Sequence, residues 1–214
     1  MNELNVFVSV GGTANEQQEA FVRAVEDRLR SEGLVPHTVG RNTFSSDSPL
    51  KTVVQLLDTC SGTVVIALER MYFPTGAEKR GGSKETPLTK IKLATPWNHI
   101  EAAMAYSRGH PLMVIVEQGI RSEGLLERGY DWYVQSMKVD PAALATTEFS
   151  GVLSSWKQKL TQRLPEPVAA KSPTELTVGE LVGSMKPSQL WSLLATIAAL
   201  VAAAFAFGGK LFGG

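Results

Sequence analysis

The sequence predicts an α/β domain with a doubly wound parallel sheet, followed by one C-terminal transmembrane helix. Short, continuously apolar runs recur up to Val116, helix-length amphipathic segments separate them, and a run of 18 uncharged residues lies near the C-terminus. Continuously apolar strands are typical of parallel sheets covered on both faces, and their alternation with helices indicates the α/β class. The composition, 43% hydrophobic with 21 Lys+Arg against 21 Asp+Glu, excludes a disordered chain and a generally basic nucleic-acid coat protein.

The elements follow from apolar runs and helical spacing, taken in chain order. The predicted strands are Leu4–Val10, Leu34–Val39, Thr63–Leu68 and Pro111–Val116, and the irregular part of the chain leaves room for a fifth. The predicted helices are Ala14–Arg30, Leu50–Cys60, Asn98–Arg108 and a last one marked by Val152, Trp156 and Leu160. Gly33 follows the first helix as a C-cap glycine would. We therefore expect a sheet of flavodoxin-like strand order.

Two segments interrupt this alternation. Arg70–Thr95, about 25 residues rich in Gly, Lys and Thr, is too long for an ordinary strand-to-helix connection. Its six cations outnumber Glu78 and Glu85, so we interpret it as a flexible basic loop that binds phosphates, the alternative being a solvated loop without function. Gln118–Asp140 is also predicted to be irregular, and its aromatic residues indicate no particular function.

Candidate ligand-binding residues follow the predicted strands, because open parallel sheets bind ligands beyond the carboxyl ends of their strands. A Gly-Gly pair after the first strand allows a phosphate or sugar to approach the backbone closely, although a tight turn explains it equally well. Trp97 offers a ring for base stacking. The complete candidate set is Gly11, Gly12, Arg41, Asn42, Arg70, Lys79, Arg80, Trp97 and Asn98.

The segment Pro96–Glu117, with the opening VFVSVGG and the stretch Leu57–Leu68, resembles the superfamily that joins nucleoside deoxyribosyltransferases with TIR and TIR-like domains. The resemblance spans roughly residues 4–160 and implies a TIR-like fold. It also implies that Glu101, early in its helix, faces the ribose of a nucleoside or of NAD and is the catalytic candidate. No convincing acidic partner lies near the first two strands, and a glutamate near a helix N-terminus is favoured without any function. We therefore expect ligand binding more than cleavage.

The sequence indicates no cofactor and no metal. Cys60 is the only cysteine, and the three histidines lack the spacing of a structural zinc site. We interpret Cys60 as a structural thiol in a reducing compartment.

The C-terminal part predicts a membrane protein. Residues 1–164 are the predicted domain, 165–188 a linker with a short amphipathic helix, 189–209 a transmembrane helix and 210–214 a tail. Leu190–Phe207 is long enough to cross a bilayer, and alanines spaced every four residues offer faces for helix association. The start of the chain does not suggest a secretion signal, so we expect a single-pass protein of the bacterial inner membrane with a cytoplasmic domain.

This layout resembles that of membrane effectors in bacterial anti-phage defence, the Hailong system among them. The resemblance implies a nucleotide or single-stranded oligonucleotide ligand, a homo-oligomer and ligand-controlled permeabilisation of the membrane. The alternative is a membrane-anchored NAD glycohydrolase or deoxyribosyltransferase-like enzyme that uses Glu101.

Overall fold

The computed structural model describes residues 4–161, which form seven strands and four α-helices. The strands are β1 (Leu4–Val10), β2 (Leu34–His37), β3 (Thr63–Ala67), β4 (Met71–Glu78), β5 (Thr86–Leu93), β6 (Leu112–Glu117) and β7 (Tyr133–Met137). The helices are α1 (Glu16–Ser31), α2 (Pro49–Thr59), α3 (Pro96–Ser107) and α4 (Thr147–Thr161), with short 3-10 helices at Gly124–Leu126 and Pro141–Ala145.

Five strands form one parallel sheet in the order β2-β1-β3-β6-β7. This is the flavodoxin-like order, so the prediction of a doubly wound parallel sheet is confirmed for the described residues. Helices α1 and α4 pack on one face of the sheet, and α2 and α3 on the other. Because both faces are covered, all five residues of β3 are buried, as its apolar sequence requires.

Local sequence signals set the helix ends nearest the ligand side of the sheet. The side chain of Asn15 accepts a hydrogen bond from the backbone N–H of Gln18 and begins α1. Thr95 caps α3 in the same way through the N–H of Trp97, and Pro96 occupies the first turn, where its missing N–H costs nothing. Both helices therefore begin beside the carboxyl ends of the strands that precede them.

The predicted flexible basic loop is wrong, because Arg70–Thr95 forms an antiparallel hairpin of β4 and β5. Met71 pairs with Leu93 and Phe73 with Ile91, and at the turn Lys79 and Gly81 adopt positive φ angles of 54° and 77°. The hairpin is largely exposed, so its strands lack the continuous apolar runs that identify buried strands. Its sequence therefore looked like that of a polar loop.

The stretch Gln118–Asp140 is only partly irregular, because it includes β7, the fifth parallel strand. The short sequence YVQSM contains two polar residues, which is why no apolar run marked it. Among the helices of residues 4–161, none is long and apolar enough to cross a membrane. The predicted linker 165–188, transmembrane helix 189–209 and tail 210–214 lie outside the described residues.

Candidate functional site

A narrow cleft opens at the carboxyl ends of β1 and β3, where the strand order reverses direction along the chain. Open α/β sheets bind ligands at this topological switch point. The residues that line the cleft come from the turn after β1, the segment after β3 and the start of α3. They are Gly11, Gly12, Leu68, Glu69, Arg70, Thr95 and Asn98. Four of the predicted ligand-binding residues, Gly11, Gly12, Arg70 and Asn98, are thus brought together.

The cleft is nearly filled by side chains. About 10 Å³ remains between the lining atoms, which is room for about one water molecule. A Cβ on Gly11 would lie 2.9 Å from the Thr95 Cγ2 atom, and one on Gly12 would lie 4.0 Å from a guanidinium nitrogen of Arg70. The two glycines therefore allow α3 and Arg70 to approach the turn closely, and a ligand entering the cleft displaces the exposed Arg70 side chain.

Asn98 is the buried polar residue of this cleft. It is 1% exposed, and its Nδ2 atom donates to the Ser9 carbonyl oxygen at 3.2 Å, to Ser9 Oγ at 3.1 Å and to the Ile66 carbonyl oxygen at 3.4 Å. Within residues 4–161, its Oδ1 atom has no hydrogen-bond donor. A buried acceptor without a donor costs about 1–3 kcal/mol, so Asn98 is stabilised by any ligand that donates a proton to it.

Glu101 lies one helical turn after Asn98 and is half-buried. Burial raises the pKa of its carboxyl group, and the Ser9 hydroxyl partly opposes this effect by hydrogen bonding. Asn98 and Glu101 are thus both coupled to Ser9 at the end of β1. A carboxyl group with a burial-shifted pKa at a ligand-binding edge is a candidate for acid–base or nucleophilic chemistry.

A second polar network joins the ends of β3 and β6 to α1. The Glu117 Oε2 atom accepts from the Glu69 N–H at 2.7 Å and from Gln18 Nε2 at 3.3 Å, and Gln18 Nε2 also donates to the Glu69 carbonyl oxygen at 3.1 Å. Lys92 Nζ lies 2.6 Å from Glu69 Oε2, and this contact raises the pKa of Lys92. The network fixes the base of the hairpin beside the cleft.

Arg41 and Asn42 follow β2, but both are engaged in contacts within the domain. The Arg41 guanidinium binds the Glu19 carboxylate through two hydrogen bonds of 2.9 Å and contacts Glu26 at 3.3 Å. Asn42 Oδ1 accepts from the Thr38 N–H at 2.7 Å, and Asn42 Nδ2 donates to the Pro36 carbonyl oxygen at 2.9 Å. A ligand would have to compete with these contacts, so neither residue is as available as Arg70.

The other candidates lie outside the cleft. Lys79 and Arg80 belong to the exposed turn between β4 and β5. Trp97, in the first turn of α3, is 45% exposed, and so is Phe73 of the hairpin. In residues 4–161, Arg70, Lys79 and Arg80 form no ion pair with a carboxylate, whereas Lys92 does. The basic character of the hairpin therefore remains available on the ligand side of the sheet.

Sequence analysis did not identify Ser9, Thr95 or Gln18 as parts of the site. Ser9 and Gln18 belong to a strand and a helix whose other residues signal only packing. Thr95 has the signal of an N-cap residue followed by proline. In the described part of the chain, no cluster of three or more His, Cys, Asp and Glu side chains could hold a metal ion.

Comparison with known proteins identifies no family. No family model matches the chain, and no curated protein does. Among solved structures, a CMP N-glycosidase of Clostridium botulinum, BcmB, is similar with a TM-score of 0.34 and 15% identity. The alignment covers 53% of this chain and 70% of that one. At this level the likeness assigns no ligand to the cleft.

Proposed function

We propose that the α/β domain binds a nucleotide at the cleft between β1 and β3 and acts as the cytoplasmic sensor of a membrane effector in bacterial anti-phage defence. The observation that supports nucleotide binding best is the cleft itself. It combines the Gly11-Gly12 turn, the unpaired cation of Arg70 and the buried acceptor of Asn98 at the switch point of the sheet. Phosphate would contact Arg70, and a hydroxyl or amino group would donate to Asn98.

Binding is tested with the full-length protein in detergent, using AMP, NAD and a single-stranded oligothymidylate as probes. We expect the affinity to fall as salt rises, since phosphate contacts release counterions. Arg70→Glu should weaken binding of every probe by at least tenfold. Arg128→Glu, near the start of β7 at the opposite edge of the sheet, is the matched control and should bind normally. Equal binding by both variants, or no binding of any probe, would overturn the proposal.

The hairpin turn separates the two ligand classes. Lys79→Glu combined with Arg80→Glu should weaken the oligonucleotide and leave AMP unchanged if the ligand is an oligonucleotide that extends along the hairpin. If both probes are unaffected, the ligand is a mononucleotide held in the cleft alone.

The second candidate function is cleavage of an N-glycosidic bond by Glu101, and the raised pKa of this carboxyl group favours it. A carboxylate stabilises or captures the oxocarbenium-like carbon as the base departs. The test is release of free base from NAD or a nucleoside, which Glu101→Gln should abolish while binding persists. If the ionised carboxylate is the nucleophile, turnover should rise as pH increases through the raised pKa. Absence of turnover in the unsubstituted protein would exclude this function for the substrates tried.

The membrane role is proposed from the sequence, on the apolar segment Leu190–Phe207. In this hypothesis several copies assemble and their segments permeabilise the inner membrane under control of the ligand. Deletion of Leu190–Phe207 should release the protein from the membrane fraction and abolish toxicity in cells. Glu101→Gln should remain toxic if the protein is an effector and lose toxicity if it is an enzyme. Full-length protein in the soluble fraction would contradict the membrane role.

A further inference from the structure

The two edges of the five-stranded sheet differ in how they are protected. At the β2 edge, Pro36 has no N–H, and its carbonyl oxygen accepts a hydrogen bond from Asn42 Nδ2. Proline and an edge-covering side chain are devices that keep a strand from pairing with another chain. At the opposite edge, β7 (Tyr133–Met137, YVQSM) has neither a proline nor a charged residue. The β7 edge therefore lacks the protection that the β2 edge has.

The outward edge of β7 also has unpaired backbone groups. The Gln118 N–H donates to the Met137 carbonyl oxygen at 2.8 Å, so Met137 directs its backbone groups toward β6. Because backbone groups alternate in direction along a strand, those of Val134 and Ser136 point away from β6. Within residues 4–161 these two residues form no backbone hydrogen bond on that side. They are available to another strand.

Gln135, between them, has an unsatisfied side chain. The residue is 5% exposed, and within the described part of the chain its Oε1 atom has no hydrogen-bond donor. Buried amide oxygens are normally hydrogen-bonded, so this one calls for a partner. An amide N–H from a neighbouring strand would supply the missing donor.

We propose that β7 pairs antiparallel with β7 of a second copy of this chain, about a two-fold axis at Gln135. Val134 of one protomer then lies opposite Ser136 of the partner subunit, and their outward backbone groups form the ladder. Gln135 faces Gln135 of the partner subunit as a non-hydrogen-bonded pair, with Cβ atoms about 4.5–5.5 Å apart. The Nε2 atom of one amide donates to the Oε1 atom of the other. The two sheets become one sheet of ten strands.

A second copy fits this edge better than an unrelated strand. A two-fold axis at Gln135 necessarily places the same amide opposite itself, which provides a donor for the unsatisfied oxygen without any further requirement. The same register places Tyr133 opposite Met137 of the partner subunit, a cross-strand pair of an aromatic and an apolar side chain. Lys138 lies opposite the Trp132 ring of the partner subunit, where a cation is attracted. This interface is independent of nucleotide binding, so each proposal can fail alone.

The test is disulfide cross-linking of the full-length protein in detergent, in a Cys60→Ala background. Gln135→Cys should give a covalent dimer under mild oxidation, since paired residues on adjacent strands satisfy disulfide distances. Val35→Cys, at the centre of the protected edge strand β2, is the matched control. We expect at least tenfold less dimer from it. Adding Ser136→Pro to Gln135→Cys should reduce cross-linking to the control level, because proline removes an outward N–H and no bond to β6.

Equal cross-linking by Gln135→Cys and Val35→Cys, or cross-linking that survives Ser136→Pro, would overturn the proposal. If Gln135→Cys does not fold, hydrogen exchange of the unsubstituted protein replaces it. The Ser136 amide should be protected, and the protection should decrease on dilution. Fast exchange at every concentration, or protection that does not depend on concentration, would also overturn it; the latter would mean that a segment of the same chain covers the edge.

Discussion

Arg41 provides the sharpest test of how this structure assigns roles. The sequence suggested a ligand contact, whereas in the structure its guanidinium binds Glu19 through two 2.9 Å hydrogen bonds and contacts the buried Glu26. The hydrogen bond from Arg41 is the main cause that lowers the pKa of Glu19 from 4.5 to about 2. This shift corresponds to at most about 3 kcal/mol. Since the two side chains are 29% and 23% exposed, solvent screening reduces the contribution to about 1–2 kcal/mol.

We therefore expect Arg41→Gln to lower the free energy of unfolding at pH 7 by about 1–2 kcal/mol, as measured by urea denaturation of the full-length protein. Because the folded-state pKa of Glu19 is depressed, this stabilisation is present above about pH 4.5 and is lost as pH falls toward 2. The difference between Arg41→Gln and the unsubstituted protein should therefore shrink to near zero at pH 2. Arg23→Gln, which removes an exposed 3.5 Å contact to Glu19, is the control and should cost less than about 0.5 kcal/mol. If Arg41→Gln is fully stable at pH 7 but has lost nucleotide affinity, Arg41 is a ligand residue and the reasoning is wrong.

The remaining predictions concern packing and thiol chemistry. Gly62→Ala should cost about 1–3 kcal/mol in urea denaturation, because its Cβ would collide with the Leu160 side chain and lie 3.3 Å from the Pro111 carbonyl oxygen. Gly151→Ala, in α4 with open space at the Cβ position, should instead stabilise by about 0.5–1 kcal/mol; opposite signs for the two would refute the packing. Burial raises the pKa of the Cys60 thiol to about 11, so at pH 8 it should react with a thiol reagent at least tenfold more slowly in the folded protein than in urea. Equal rates would mean that Cys60 is accessible.

The buried strands of this fold could be predicted because burial leaves a direct trace in the sequence. A strand covered on both faces needs an apolar side chain at nearly every position, and β1 begins and ends at the predicted residues, Leu4 and Val10. The ends of β2, β3 and β6 differ from the prediction by two residues or fewer. Exposed elements leave no such trace. The hairpin of β4 and β5 and the edge strand β7 were therefore taken for irregular chain.

The site divides along the same line. The sequence by itself determined that Gly11, Gly12, Arg70 and Asn98 end strands or begin a helix on the ligand side, and the parallel order of the strands then brings them to one cleft. Only the tertiary structure decided that Arg41 is paired with α1, that the basic segment is a hairpin, and that Asn98 retains a buried acceptor without a donor. The reason is physical. Local sequence sets the direction and burial of an element, but the partner of a polar side chain is chosen by distant segments that packing brings within about 3 Å of it.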